Sequence, residues 1–291
     1  MFTFAGKLHI NNFSCIMANV IKIKKGLDIN LKGKASDVLL NGGKSDSYAI
    51  VPDYYNGIVP KVVAKVGEKV KAGSVLMIDK NRPEIKFVSP VSGEVTAVNR
   101  GEKRKVLSVV VKPEAQIEYE DFGKKNVASL KREEVKEAIL HAGMWPFIKQ
   151  RPYDIVASPA DEPRDIFVSA FYSAPLAPNF DFVVKGQEVD FQTGLDALAK
   201  LTDGKVYVGI RKGSSVSVKG VETVEVEGPH PAANVGVQIN HIKPINKGEV
   251  VWTVNPADVI VIGRLFNKGI ADFSRLVVIT GSETTERGYV K

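Results

Sequence analysis

Between about Ser47 and Lys112 the chain echoes itself: NGIVPKVVAKVGEKVKAGSVLMI returns in weaker form as SGEVTAVNRGEKRKVLSVVV. Each half has a glycine-led strand, at Gly57 and Gly93, then a second strand. A Gly-Glu-Lys turn, at 67–69 and 101–103, precedes another apolar run. Short β-rich runs bounded by turn residues are strand signals, and an internally repeated unit buries its apolar face against its copy. Two intertwined copies of such a unit make a small barrel-sandwich. Glycine suits the turns because positive φ costs it little.

The stretch DKNRPEIKFVSPVSGEV, residues 79–95, resembles the hairpin on which lipoyl and biotin carrier domains display a modified lysine. Aligned on SPVSGEV, that lysine position falls on Arg82, followed by Pro83. A guanidinium is no substrate for amide attachment of lipoate or biotin, and proline stiffens a tip that a ligase must reach. Lys80 lies two residues away, where the side chain projects differently. No covalently bound cofactor is expected here, and a cofactor-carrying transfer domain modified at Lys80 is the alternative. Arg82, a basic point on a fixed tip, is expected to contact a partner.

A helix follows the repeat, and after Pro152 strands and helices alternate. SLKREEVKEAILHAG predicts a helix capped by Ser129 and stopped at Gly143, with Val135, Ala138, Ile139 and Leu140 as its apolar stripe. IFVSA (166–170) and VYVGI (206–210) read as strands on either side of a helix in FQTGLDALAKLTDG, which ends at Gly204. That β-α-β order predicts a parallel sheet layered with helices. NPADVIVIGRLFNKG fits a strand at 259–262, but Asn255 as cap, Pro256 at the first position, Asp258 and the closing Gly269 favour a helix. LVVIT (276–280) supplies one more strand.

The expected fold class is mixed α+β, a biotinyl/lipoyl-like barrel-sandwich domain followed by a Rossmann-like α/β domain. Residues 1–16 are expected to be a leader or an artefact of the gene start, with Met17 the natural start. The barrel-sandwich domain is expected over 17–125 and the α/β domain over 126–280. Residues 281–291 would begin a further, truncated domain.

No apolar window reaches the roughly 18 to 20 residues of a spanning helix. The single cysteine, Cys15, excludes an internal disulfide framework, a Cys-ligated iron–sulfur cluster and a CxxC pair. The net charge of +7 is uneven: residues 1–150 carry 25 Lys/Arg against 16 Asp/Glu, and residues 151–291 carry 15 against 17. The basic half is expected to offer a docking face, with Lys61, Lys65 and Lys69 as its candidates. Basic residues scattered among acids, without interleaved aromatics, do not suit nucleic acid.

No GxGxxG or P-loop follows a predicted strand, and the basic loop GIRKGSS (209–215) is read as a turn. Four histidines, His9, His141, His230 and His241, show no HExxH, so no metal site is expected. No triad pattern marks a catalytic residue. The unusual segment is EGPHPAANVGVQINHIKP, where Gly228, Pro229, His230 and Pro231 form a stiff turn able to hold an imidazole in one orientation. Gly and Pro shaping a crossover is the alternative reading of the same residues.

Taken in order, VIKIKKGLDINLKGKA, DKNRPEIKFVSPVSGEV, NRGEKRKVLSVVV, LDALAKLTDGKVYV and EGPHPAANVGV resemble the A subunits of the bacterial sodium-translocating NADH:quinone oxidoreductases. The resemblance covers nearly all of residues 19–291. It implies a peripheral subunit on the cytoplasmic face of the bacterial inner membrane, docked on the membrane-embedded B subunit of a six-subunit complex. That complex couples NADH oxidation and quinone reduction to Na+ export, as NADH:ubiquinone reductase (Na+-transporting). The resemblance implies no flavin, iron–sulfur cluster or metal in this chain, and interaction with ubiquinone or menaquinone. Gly228, Pro229, His230 and Pro231 are the quinone-binding candidates. Kinship with the C subunit of the Rnf electron-transport complex leaves a flavin- or nucleotide-binding electron-transfer protein as a further alternative.

Overall fold

The computed structural model of the chain describes residues 19–291. The expected leader over 1–16, the start at Met17 and the single cysteine lie outside the described residues. Strand β1 (Asn19–Lys22) is followed by the strands of the repeat: β2 (Tyr48–Ile50), β3 (Pro60–Val62), β4 (Lys69–Val70), β5 (Val75–Asp79), β6 (Lys86–Val88), β7 (Gly93–Arg100) and β8 (Val106–Pro113). They form two antiparallel sheets, ordered β2-β8-β7-β4 and β3-β5-β6. Val70, Leu76, Val95, Val109 and Val111 fill the space between them. The barrel-sandwich is therefore built as the repeat implies. Its two turns differ, however: Gly67 takes φ +85°, whereas in the second turn the positive φ falls on Lys103 and Arg104, at 52° and 61°.

The rest of the chain comprises α1 (Arg132–His141), β9 (Ile148–Arg151), β10 (Ile155–Val156), β11 (Ile166–Ser169), α2 (Phe180–Val184), α3 (Glu188–Lys200), β12 (Val206–Arg211) and β13 (Glu222–Glu227). There follow α4 (Val235–Ile242), β14 (Val251–Val254), α5 (Pro256–Lys268), β15 (Val277–Ile279) and β16 (Gly288–Val290). Helix α1 starts three residues after Ser129. Ser129 closes a short 3-10 turn capped by Asn126, and the α1 start is secured instead by the Glu134 carboxylate, which accepts the Lys131 N–H at 2.7 Å. Helix α5 forms as its capping signals predict, with Asn255 Oδ1 accepting the Ala257 N–H at 3.0 Å and Gly269 left-handed at φ 73°.

The large sheet has seven strands in the order β1-β13-β12-β11-β14-β9-β10. Pairings from β1 through β14 are parallel and those of β9 are antiparallel. Residues 19–22 thus belong to this sheet and not to the barrel expected over 17–125. The reason is burial: Ile23 and Ile21 pack into the cluster of Phe171, Val224, Val226 and Ala232, which exists only beside β13. The run at 276–280 also departs from the expected parallel sheet, because β15 pairs antiparallel with β16 in a separate two-stranded ribbon.

Helices α3 and α5 cover one face of the large sheet over Ile166, Val168, Trp252 and Val254, and α4 covers the other over Phe167 and Val251. Met77, Ile85 and Phe87 of the barrel bury themselves in the same core as Trp145, Ile148, Val156 and Ala157. The two units therefore share one continuous apolar interior, which makes independent swinging of the barrel costly.

Candidate functional site

The hairpin tip between β5 and β6 is fastened from three sides. Asp79, fully buried, accepts the Val59 N–H at 3.0 Å, the Asn81 N–H at 3.2 Å and Arg82 Nε at 2.8 Å. Arg82 Nη2 donates to the Gly57 carbonyl at 2.9 Å and Nη1 to the Val156 carbonyl at 3.2 Å. Val156 lies on β10, so the residue standing where a carrier lysine would be is a clamp between the barrel and the α/β sheet. Where a partner contact was expected of Arg82, its donors face inward, because a buried carboxylate and two carbonyls require them. Lys80 is exposed, with its backbone N–H bound to the Val59 carbonyl.

Lys61, Lys65 and Lys69 are all exposed on the barrel. Lys69 Nζ lies 3.4 Å from Glu114 and 3.9 Å from Glu94. Lys61, on β3, and Lys65, in the following loop, make no ion pair among the described residues, which leaves their charge uncompensated.

The turn at 228–231 leaves the carboxyl end of β13. Gly228 has φ 138°, and a Cβ there would stand 2.3 Å from the Ile23 carbonyl oxygen, so close passage of the 23–28 segment demands glycine. That segment then holds His230 on both backbone sides: the His230 N–H donates to Asp28 at 2.8 Å, and its carbonyl accepts the Leu27 N–H at 2.9 Å. The imidazole Nδ1 is 3.0 Å from Ser173 Oγ, which also accepts the Ala233 N–H at 3.0 Å. The half-buried ring is oriented by this contact with Ser173.

Ser173 lines a groove of ≈ 690 Å³ between the 28–37 segment and the 171–181 loop. Ile29, Leu31, Phe171, Tyr172 and Leu176 contribute apolar patches to a lining that also carries Asp28, Lys34, Asp37, Asp181 and Arg211. Apart from Arg211, in the basic run at 209–215, these residues lie on irregular segments brought together only by folding. The 211–215 loop is a turn: Ser214 and Ser215 hydroxyls and the Ser215 N–H all bond Asp181 Oδ1 at 2.6–2.8 Å. Those bonds outweigh the effect of burial and hold the Asp181 carboxyl below its ordinary range.

A second crevice, of ≈ 620 Å³, opens on the other side of Phe171 and Tyr172, where β11 and β14 meet the starts of α4 and α5. Lys149 and Arg151 of β9 line it, together with Asp154 and Asp258. Burial pushes the Asp258 carboxyl up despite the charge of Arg275, and burial pushes the Lys149 ammonium down. Among the described residues no group of three His, Cys, Asp or Glu side chains is placed to hold a metal ion, and no helix is long and apolar enough to cross a membrane.

Comparison with known proteins sets these features in a lineage. The family model of the NqrA N-terminal barrel-sandwich hybrid domain matches residues 21–114, and that of the NqrA second alpha/beta domain matches residues 130–271. The chain is 37% identical over 272 residues to the A subunit of the Na(+)-translocating NADH-quinone reductase of Neisseria meningitidis serogroup A, covering 92% of this chain and 61% of that protein. The protein of the same name from Hahella chejuensis is 38% identical over 267 residues, 90% of this chain and 60% of the relative. That of Yersinia pestis is 35% identical over 272 residues, with 92% and 61% covered. The chain thus spans about three fifths of the length of these relatives.

Proposed function

The chain belongs to the NqrA family, the A subunits of Na+-translocating NADH-quinone reductases, and we propose on that footing that it is a peripheral, non-redox component of such a complex. In this reading the complex oxidises NADH, reduces quinone and exports Na+, and this chain docks on the membrane-embedded B subunit at the cytoplasmic face. Its barrel offers Lys61 and Lys65 as the uncompensated charges for that docking. No catalytic residue is assigned to it.

The observation that carries a quinone contact is the groove beside His230. A quinone site needs apolar walls and one or two donors for the carbonyl oxygens. Ile29, Leu31, Phe171 and Leu176 supply apolar patches within a largely polar groove, and Ser173, oriented by the His230 imidazole, supplies a hydroxyl. The turn Gly228-Pro229-His230-Pro231 then serves as the support that fixes Ser173, and the headgroup of ubiquinone or menaquinone takes its hydrogen bond from the serine. Titration of the purified chain with a short-tailed ubiquinone, followed by tyrosine and tryptophan fluorescence, tests this. Ser173→Ala and His230→Ala are expected to weaken binding about 5- to 10-fold, the equivalent of one hydrogen bond. Wild-type affinity in both variants removes the groove as the quinone site.

A further inference from the structure

The crevice on the far side of Phe171 and Tyr172 is left unused by the quinone reading. It lies at the reversal of the large sheet: β12 and β13 follow β11 to one side, while β14 sits on the other. In open α/β sheets the space outside the carboxyl ends of the strands at such a reversal is where ligands bind.

The charges there are arranged against themselves. Arg151 Nη1 is 3.2 Å from Asp154, but Nη2 lies over the first turn of α4, 2.8 Å from where a Cβ on Gly236 would stand. A helix N-terminus carries partial positive charge, and its first N–H groups have no intrahelical acceptor. The Asn234 side chain does not cap this one. A guanidinium is thus packed against the positive end of a helix, and an anion seated beside them and touching both would be attracted to each.

Lys149 stands two residues before Arg151 on the same face of β9 and lines the same crevice. Its ammonium rests 5.1 Å from the centroid of the Tyr55 ring and makes no hydrogen bond or ion pair among the described residues. Thr253, opposite Lys149 across the β9–β14 pair, and Ser169 add hydroxyls. Of the acidic groups of the same wall, Asp154 pairs with Arg151, and Asp258 Oδ1 stands 3.0 Å from Arg275 without a hydrogen bond of good geometry. Phe147, Phe171 and Tyr172 provide an aromatic side.

We propose that this crevice binds the phosphate of a small phosphorylated molecule, held between Arg151, Lys149 and the first-turn N–H groups of α4, with its organic body against Phe147, Phe171 and Tyr172. Donors converging from a guanidinium, an ammonium and a helix start suit a phosphate better than a planar carboxylate. The inference stands on the crevice alone and does not depend on the quinone reading.

Calorimetric titration of the chain with phenyl phosphate, inorganic phosphate and benzoate tests it. Saturable binding at one site is expected for both phosphates, tighter for phenyl phosphate, with affinities on the order of 1 mM or better. Benzoate is expected to bind at least about 10-fold more weakly than phenyl phosphate. Arg151→Gln and Lys149→Met are each expected to weaken phenyl phosphate at least about 10-fold. Gly236→Ala keeps both charges but drives a methyl group into the guanidinium, and is expected to weaken binding likewise; it decides the matter if either charge variant fails to fold. No saturation with wild type up to about 10 mM, wild-type affinity in Gly236→Ala and the folded charge variants, or benzoate binding as tightly as phenyl phosphate overturns the proposal.

Discussion

Arg82 Nε lies 2.8 Å from the buried carboxylate of Asp79 while the same guanidinium holds carbonyls of Gly57 and Val156, so one side chain closes the β5–β6 hairpin and fastens it to the α/β sheet. Removing one partner of a buried pair leaves an uncompensated charge, at a cost of about 3–5 kcal/mol. Arg82→Ala is expected to lose stability in that range by denaturant unfolding. Arg82→Lys is expected to recover only part of it, because an ammonium cannot serve a carboxylate and two carbonyls with the guanidinium's planar geometry. Wild-type stability in Arg82→Ala contradicts the clamp.

The same clamp bears on covalent modification. Lys80 follows buried Asp79 and has its N–H tied to the Val59 carbonyl, so the tip presents a braced backbone and not an open loop. Intact mass of the protein from cells able to lipoylate and biotinylate is expected to be the unmodified value. An added mass at Lys80 reverses that reading.

On the barrel, Lys61 and Lys65 carry charge without an acidic partner among the described residues, whereas Lys69 sits near Glu94 and Glu114. Reversing Lys61 and Lys65 together to Glu in the full-length protein is expected to reduce its co-purification with the membrane subunits severalfold, and more so at low salt, where exposed charges act over longer distances. Lys69→Glu is expected to do less to docking. Equal recovery of the double variant and the wild type places the docking face elsewhere.

Asp165 anchors the start of β11, accepting Arg164 Nε at 2.7 Å, Lys243 Nζ at 2.8 Å and the Lys205 N–H at 3.1 Å. Burial acts to raise its pKa, but these hydrogen bonds outweigh it and hold the carboxyl below its ordinary value. A depressed folded-state pKa gives stability that is complete above the unfolded value, about 3.9, and is lost as pH falls through the folded one. Asp165→Asn is therefore expected to cost about 3 kcal/mol near neutral pH, with the gap to wild type narrowing below about pH 4. A gap independent of pH across that acid window denies the carboxylate its role.

What the sequence disclosed was local chemistry. The repeat at 57–111, the Arg82-Pro83 tip and the α5 signals at Asn255, Pro256 and Gly269 all act within a few residues, where propensity and turn geometry decide the outcome. Pairings across long separations were hidden: Ile23 reaches Phe171 and Val224, Arg82 reaches Val156, and His230 reaches Ser173. The turn at 228–231 was visible as stiff. That its histidine faces a serine, and that Ile29 and Leu31 line the groove beyond, depends on the 171–181 loop and on a 27–32 run whose apolar/polar alternation forms no strand.

The close crossing of α3 and α5 is the sharpest of these unseen constraints. A Cβ on Gly194 would stand 2.0 Å from the Val259 carbonyl oxygen, and one on Gly263 would stand 1.7 Å from that of Asp190. Both obstacles are backbone, so relief requires the helices themselves to separate, opening the core of Leu195, Leu198, Ile262 and Phe266. Alanine gains up to about 1 kcal/mol in intrinsic helix propensity over glycine, and overpacking a tight core costs about 1–3 kcal/mol or more. At these two sites the backbone clash sets the sign. Gly194→Ala and Gly263→Ala are each expected to lower stability by about 2 kcal/mol or more, while Gly43→Ala, with nothing within 4 Å of its Cβ, is expected to stay within about 0.5 kcal/mol. Thermal melts of the three variants decide it: helix-propensity gain winning at Gly194 or Gly263 would mean that the helices cross farther apart than the structure places them.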